Sequence, residues 1–319
     1  MTGGAGDALV AAVIDIGSNS VLLLTVSVAP GGRVRALDEA LATTRLGAGL
    51  RAGGRLDPAA LARTRDAVAT FAARARARGA RRVWGFATAA LREATDGAAA
   101  AREIAAAAAA PVEVLAGERE AGLAYAAVAG AFAAAGPLLV ADVGGRSTEL
   151  TLGAGAQVLA AASLPLGALV LTEAHAADLD GARAAVRAAL VASDLPARAR
   201  AAGARLVASG GTATALAALD LGLTAYAPRR VHGHALERHA LAGLVARLAR
   251  MSAEERAVLA GLEPGRAAIL PAGALVLQGV MDASGATRLV VSDHGVRHAY
   301  LRAALGRDGV RADLEELWG

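Results

Sequence analysis

A chain of 319 residues is long enough for two domains, and its 55% hydrophobic content with only 3% aromatic residues requires cores of Ala, Leu and Val. All 33 basic residues are Arg and Cys is absent, which excludes disulfides, thiolate metal sites, Cys nucleophiles, a Walker-type Lys and a Lys Schiff base. The net charge of +4 comes without basic runs interleaved with aromatics, so no nucleic-acid partner is expected.

In chain order, residues 1–8 are Gly-rich and expected to fray. Residues 11–16 and 21–28 read as strands and 33–46 as a third. Their apolar run from 8 to 29 is broken by Asp15, Ser18 and Asn19, so no membrane span is expected. No basic residue precedes it, so a signal peptide is not expected and the chain reads as cytoplasmic. Asp57-Pro58 opens a helix that runs to about Arg78. Arg74, Arg76 and Arg78 with Arg81 and Arg82 read as a solvated helix end, with attraction of a polyanion as the other use. A strand at 82–87, a helix at 97–110, a strand at 112–115 and a helix at 118–134 follow.

The order then restarts. Strands are expected at 138–142, 148–152 and 157–164, and helices at 167–175 and 180–201. A strand at 205–209 leads into a helix at 211–219. Further helices are expected at 234–250, 253–259 and 271–282, then a strand at 289–292 and a helix at 295–305. Two successive sets of three strands with alternating helices and strands imply a duplicated α/β architecture with a cleft as the default site. The expected division is 1–121 for the first domain and 122–294 for the second, with 295–319 packing back on the first.

The duplication is visible in the residues. Asp15-Ile16-Gly17-Ser18-Asn19-Ser20 matches Asp142-Val143-Gly144-Gly145-Arg146-Ser147, each between two apolar runs. Each reads as a hairpin with a carboxylate at its entrance and backbone N–H groups at its tip, a combination that binds phosphate and metal. Gly17, Gly144 and Gly145 allow close approach; Ser18, Asn19, Ser20, Ser147 and Thr148 add donors. Asp15, Asp142 and Glu149 are the carboxylates able to hold Mg²⁺. A single copy would read as an ordinary Gly-Ser hairpin; two matched copies favour phosphate.

Other motifs are weaker alone. Arg92, after the strand at 82–87, could clamp a phosphate or pair with Glu93 or Asp96. Gly210, Gly211 and Thr212 form a strand-to-helix turn suited to a nucleotide or phosphate, or to a plain tight turn. Glu118 reads as helix-dipole complementation. His232, His234 and His239 cluster in sequence, but a loop and helix-start role suits them better than zinc.

Together, Asp15…Ser20, Gly117…Glu120-Ala121, Asp142…Glu149, Leu91-Arg92, Ser209…Thr212, Val231-His232-Gly233 and Ser292…His298 resemble the exopolyphosphatase/guanosine pentaphosphate phosphatase family, in its short two-domain form. The resemblance runs from about residue 11 to 302. It implies duplicated ribonuclease-H-like domains of the actin/hexokinase/heat-shock-ATPase fold. It also implies metal-dependent release of orthophosphate from inorganic polyphosphate, short chains included. Guanosine pentaphosphate is an alternative substrate, and homodimerisation an expectation by analogy. The family's general base falls on Glu120, and its Mg²⁺ (or Mn²⁺) positions on Asp142, Gly144 and Glu149, with Asp15 assisting. The two turns and Arg92 would hold successive phosphates. Arg146 departs from the usual third Gly of the second turn. It would add a cation, block the pocket or face solvent, and blockage would leave a non-catalytic polyphosphate or nucleotide sensor. A sugar-kinase-like enzyme is a further competitor, disfavoured because Glu120 suits water better than a sugar hydroxyl.

Overall fold

The computed structural model describes residues 8–51, 53–132, 136–175, 178–313 and 317, so the expected fraying at the N-terminus falls almost wholly outside the described residues. The chain divides into two compact units, Met1–Ala116 with Arg297–Gly319 and Gly117–Val296. The first boundary thus precedes the helix that carries Glu120, instead of cutting it after residue 121 as expected.

The first unit opens with an antiparallel meander, β1 (Leu9–Ile16), β2 (Ser20–Val28) and β3 (Val34–Thr43). The helix α1 (Pro58–Ala77), β4 (Arg82–Ala87), the short α2 (Ala89–Glu93), α3 (Gly97–Ala108) and β5 (Val112–Val114) follow. The sheet order is β3-β2-β1-β4-β5, with β4 parallel to β1 and β5 parallel to β4. Asp57 caps α1, its carboxylate accepting from the Ala60 N–H at 2.7 Å, and Pro58 occupies the first turn, where no donor is missed. Ile14, Ile16, Leu23, Val68, Phe71 and Ile104 form the core between sheet and helices. The third strand stops at Thr43, short of the expected Leu46, because Arg45 turns into the left-handed region (φ 54°).

The second unit runs through α4 (Gly117–Phe132), β6 (Pro137–Val143), β7 (Thr148–Ala154), β8 (Gln157–Leu164), α5 (Ala168–His175), α6 (Leu179–Ser193), α7 (Leu195–Ala201) and β9 (Arg205–Ser209). It continues with α8 (Gly210–Asp220), α9 (Pro228–Val231), β10 (Ala235–Glu237), α10 (Arg238–Arg250), α11 (Ala253–Ala257), α12 (Leu270–Ser284) and β11 (Arg288–Val291). The sheet order is β10-β11-β9-β6-β7-β8, so β8-β7-β6-β9-β11 repeats the order of the first sheet and β10 is an added edge. The expected helix at 180–201 is two helices, because Asp194 is left-handed (φ 53°) and Pro196 cannot donate within a continuous helix. The helix expected from His234 starts at Arg238, since 235–237 pair with β11. The C-terminal α13 (Val296–Arg307) belongs, from Arg297 onward, to the first unit, where Tyr300 packs on Phe86 and donates to Glu113 Oε2 at 3.1 Å.

The basic tract serves the fold. Arg74 makes a bidentate pair with Asp38, Arg76 donates to the Ala108 and Ala109 carbonyls, and Arg82 pairs with Asp308. Among the described residues no helix is long and apolar enough to cross a membrane.

Candidate active site

The two hairpin tips share one geometry. Strands β1 and β2 close at Ile16 opposite Val21, and β6 and β7 at Val143 opposite Thr148. Gly17 N–H donates to Ser20 O at 3.0 Å, and Gly144 N–H to Ser147 O at 2.9 Å. In both tips, segments after the third strand tie down the turn carbonyls. In the first, Thr44 and Arg45 N–H donate to Asn19 O (3.1 and 2.9 Å) and Gly47 N–H to Ser18 O (2.8 Å). In the second, Ala168 N–H donates to Gly144 O (2.9 Å) and Leu169 N–H to Gly145 O (2.8 Å). With these backbone carbonyls occupied, the tips present mainly donors to a ligand, Asn19 Oδ1 being a buried acceptor left over in the first.

Ser18, Asn19 and Ser20 are all buried, with Asn19 Nδ2 donating to Ser20 Oγ at 3.1 Å. Arg146 is 7% exposed, which removes the solvent-facing alternative. Thr148 is corrected from phosphate donor to buttress: it is wholly buried and its one hydroxyl proton goes to the Leu166 carbonyl.

Register explains what the second tip adds. Glu149 lies opposite Asp142 across β7 and β6, whereas the equivalent partner of Asp15 is Leu22. The row extends to Ser163 on β8, opposite Glu149, and to Ser209 on β9, opposite Asp142. Directly opposed side chains share a face, and like charges placed so are destabilising, so the Asp142–Glu149 pair is not there for the sheet's sake. Ser163 Oγ donates to Glu149 Oε1 at 2.7 Å, and the Ser147 hydroxyl also bonds this carboxylate.

Glu120, in the first turn of α4, is 8% exposed and its charge acts on Glu149. Burial, then the Glu120 and Asp142 carboxylates, push the Glu149 carboxyl up to about 8, against the two Ser hydroxyls. Burial also raises the Asp142 carboxyl, opposed by Ser209 and by the positive charge of Arg266. Arg266 escaped the sequence reading. It lies far along the chain in a one-turn helix without a motif, and its guanidinium sits on Gly211, where a Cβ would meet Nη1 at 1.8 Å. Gly210 (φ 82°) brings its backbone against Asp142, where a Cβ would lie 2.3 Å from Oδ1. Ser163 escaped too, because its partner follows from register and not from spacing along the chain. Thr212 is buried beneath this turn, its hydroxyl 3.4 Å from the Val143 carbonyl.

The remaining expected site residues are less central to this group. Arg92, in the first unit, donates Nη1 to the Leu115 carbonyl at 2.8 Å. Asp15 is half-buried on β1. His232 stacks on Phe132, His234 pairs with Asp220 at 2.7 Å and His239 is exposed, so the three do not converge.

The donor set suits a hard divalent cation. Among the described residues no three His, Asp or Glu side chains form a ready-made metal cage. Mg²⁺, however, commonly takes one or two carboxylates and completes its shell with water and substrate phosphate. The opposed carboxylates of half-buried Asp142 and buried Glu149, whose mutual repulsion a cation would relieve, fit that pattern.

A repeated three-strand meander with glycine-containing turns at its tips, acidic residues near the carboxyl ends of the first strands and a Gly-Gly turn is an actin-like architecture, and the relatives below make the chain a phosphoanhydride hydrolase. The description "Ppx/GppA phosphatase family" fits residues 25–307. Exopolyphosphatase 2 of Mycobacterium tuberculosis is 33% identical over 309 residues, covering 89% of this chain and 95% of the relative. The crystal structure of the Aquifex aeolicus Ppx/GppA family member is 26% identical with a TM-score of 0.75, covering 94% of this chain and 99% of that one. An exopolyphosphatase structure from Cytophaga hutchinsonii, 20% identical, shares the fold with a TM-score of 0.84 over 94% of this chain and 98% of its own. The chain belongs to the Ppx/GppA phosphatase family.

Proposed function

We propose that this chain is an exopolyphosphatase that hydrolyses the terminal phosphoanhydride bond of inorganic polyphosphate. The observation that carries this reading is the opposed Asp142–Glu149 pair next to the second turn, with a buried Glu120 whose charge acts on Glu149. Polyphosphate is the substrate to expect from the name of the mycobacterial relative.

Phosphoryl transfer needs positioning and charge neutralisation more than covalent help. Donors of the second turn, the Gly145 and Ser147 N–H groups with Arg146 among them, hold oxygens of the terminal phosphate, since the Ser147 hydroxyl bonds Glu149. In the first unit, the donors Gly17, Ser18, Asn19 and Ser20, with Arg92, are suited in their own right to phosphate oxygens. Glu120 takes a proton from water as the water oxygen forms its bond to the terminal phosphorus. The bridging P–O bond breaks, its electrons stay on the shortened chain, and orthophosphate leaves. Asp142 and Glu149 would hold Mg²⁺ or Mn²⁺, which would supply neutralisation of phosphate charge; the Gly144 carbonyl, which accepts from Ala168 N–H, is left out of the ligand set. Gly210, Gly211 and Thr212 with Arg266 offer a further anion-binding turn.

Orthophosphate release from short and long polyphosphate and from guanosine pentaphosphate, with Mg²⁺ or EDTA, tests the reading. Metal-dependent release from polyphosphate is expected, falling at least ~100-fold in Glu120→Ala. Binding of polyphosphate without release by the wild type would overturn it in favour of a sensor; preference for guanosine pentaphosphate would rename the substrate.

A further inference from the structure

We propose that Arg45 is a substrate-binding residue of the first unit, a guanidinium held beside the first turn to grip a phosphate oxyanion; this rests on the polyphosphate reading. Among the described residues only Arg45, Ala109 and Asp194 are non-glycine residues with positive φ. Ala109 and Asp194 follow the ends of α3 and α6, where a left-handed residue closes a helix. Arg45 (φ 54°) closes none. A Cβ makes this backbone region unfavourable, so glycine would be the less strained choice there.

The backbone has a reason to adopt it. Arg45 and Thr44 N–H both reach Asn19 O, and Gly47 N–H reaches Ser18 O, strapping this segment onto the first tip. From the other side Arg63 holds the Thr44 carbonyl through Nε and Nη2 at 3.3 and 3.1 Å. Glycine would make the same backbone bonds. The Arg45 side chain adds nothing to them: it is exposed and has no hydrogen bond or ion pair among the described residues. Strain at a position whose side chain does no structural work points to a role for that side chain outside the fold.

The turn it adjoins says what kind. Its carbonyls are taken by the strap, and Ser18, Asn19 and Ser20 line a buried tip that retains donors. An oxyanion is the ligand such a tip accepts, and a planar guanidinium is the cation that matches its oxygens two at a time.

Arg45→Gly tests the idea because it removes the charge and the strain together. The variant is expected to melt at or above the wild-type temperature. Its KM for tripolyphosphate and for long polyphosphate should rise about tenfold, the loss of one charge-assisted contact. Arg45→Lys should recover part of that affinity. Calorimetric binding of tripolyphosphate to Glu120→Gln, with and without Arg45→Gly, should show the same weakening where no turnover occurs. An Arg45→Gly protein that melts lower would mark the residue as structural and overturn the proposal. So would unchanged affinity and KM in a protein whose wild type binds and hydrolyses polyphosphate. If the wild type neither binds nor hydrolyses polyphosphate, the functional reading falls first and this one with it.

Discussion

Replacing Glu149 by Gln probes the acidic cluster at its most strained member. In the metal-free protein burial and the Glu120 and Asp142 carboxylates hold the Glu149 carboxyl near 8, against an ordinary 4.5. Between those values the folded protein binds a proton that the unfolded chain has released, so stability falls as pH rises. The full contribution is present below the unfolded value and is lost by the time pH passes the folded one. The shift sets a ceiling of about 5 kcal/mol. Relaxation and a proton shared among neighbouring carboxylates should reduce the realised loss to about 2 kcal/mol. Urea midpoints measured in EDTA from about pH 5 to about pH 9 should therefore decline for the wild type. Mg²⁺ at ~100 times its dissociation constant should restore about 2.7 kcal/mol at the upper end. Glu149→Gln keeps an acceptor for Ser163 and removes the charge. Its metal-free decline should be markedly shallower, what remains coming from the raised Asp142 carboxyl, its stability at high pH above the wild type's, and its response to Mg²⁺ much weakened. A wild-type profile without a decline, or an equal decline in the Gln variant, would refute this account of the cluster.

Two further variants separate geometry from stability. Gly210→Ala forces a Cβ into a left-handed position 2.3 Å from Asp142 Oδ1, so a loss of about 1–3 kcal/mol in the denaturation midpoint is expected along with activity. Gly211→Ala meets the far end of the Arg266 side chain, which can swing aside where backbone cannot; it should cost under ~1 kcal/mol yet lower kcat/KM by about tenfold, and equal stability losses in the two would contradict this. Ser163→Ala removes the 2.7 Å bond that orients Glu149; metal affinity should fall roughly tenfold while Ser163→Thr retains most of it, a split that metal titration of the variants measures.

Local chemistry wrote much of this molecule legibly. The Asp57-Pro58 start of α1, the two hairpins and the alternating strands announced themselves through capping and apolar runs, because those signals are contained within a few residues. The failures lie where structure depends on partners far along the chain. β10 has three residues and exists because β11 pairs with it, so the reading folded it into a helix. Arg45 ends β3 through bonds to Asn19, which no periodicity reveals. In the candidate site, Asp142 and Glu149 were legible as a motif and Glu120 only through the family resemblance. Ser163 and Arg266 were not, since one depends on strand register and the other on the close approach that Gly211 permits.

The duplicated fold makes the differences between its copies informative. Both tips keep the glycine, the closing hydrogen bond and the carboxylate on the first strand. They part at the residue opposite that carboxylate, Leu22 in one and Glu149 in the other. A lone Asp beside Leu leaves the first tip dominated by donors. The second tip sets two opposed carboxylates under its donors, an arrangement that costs stability until a cation or a proton intervenes. Glu120, from the first turn of α4, adds a further negative charge that acts on Glu149. Acidic charge is therefore concentrated at the second tip, where a cation would relieve it, while the first tip keeps one carboxylate opposite an apolar residue.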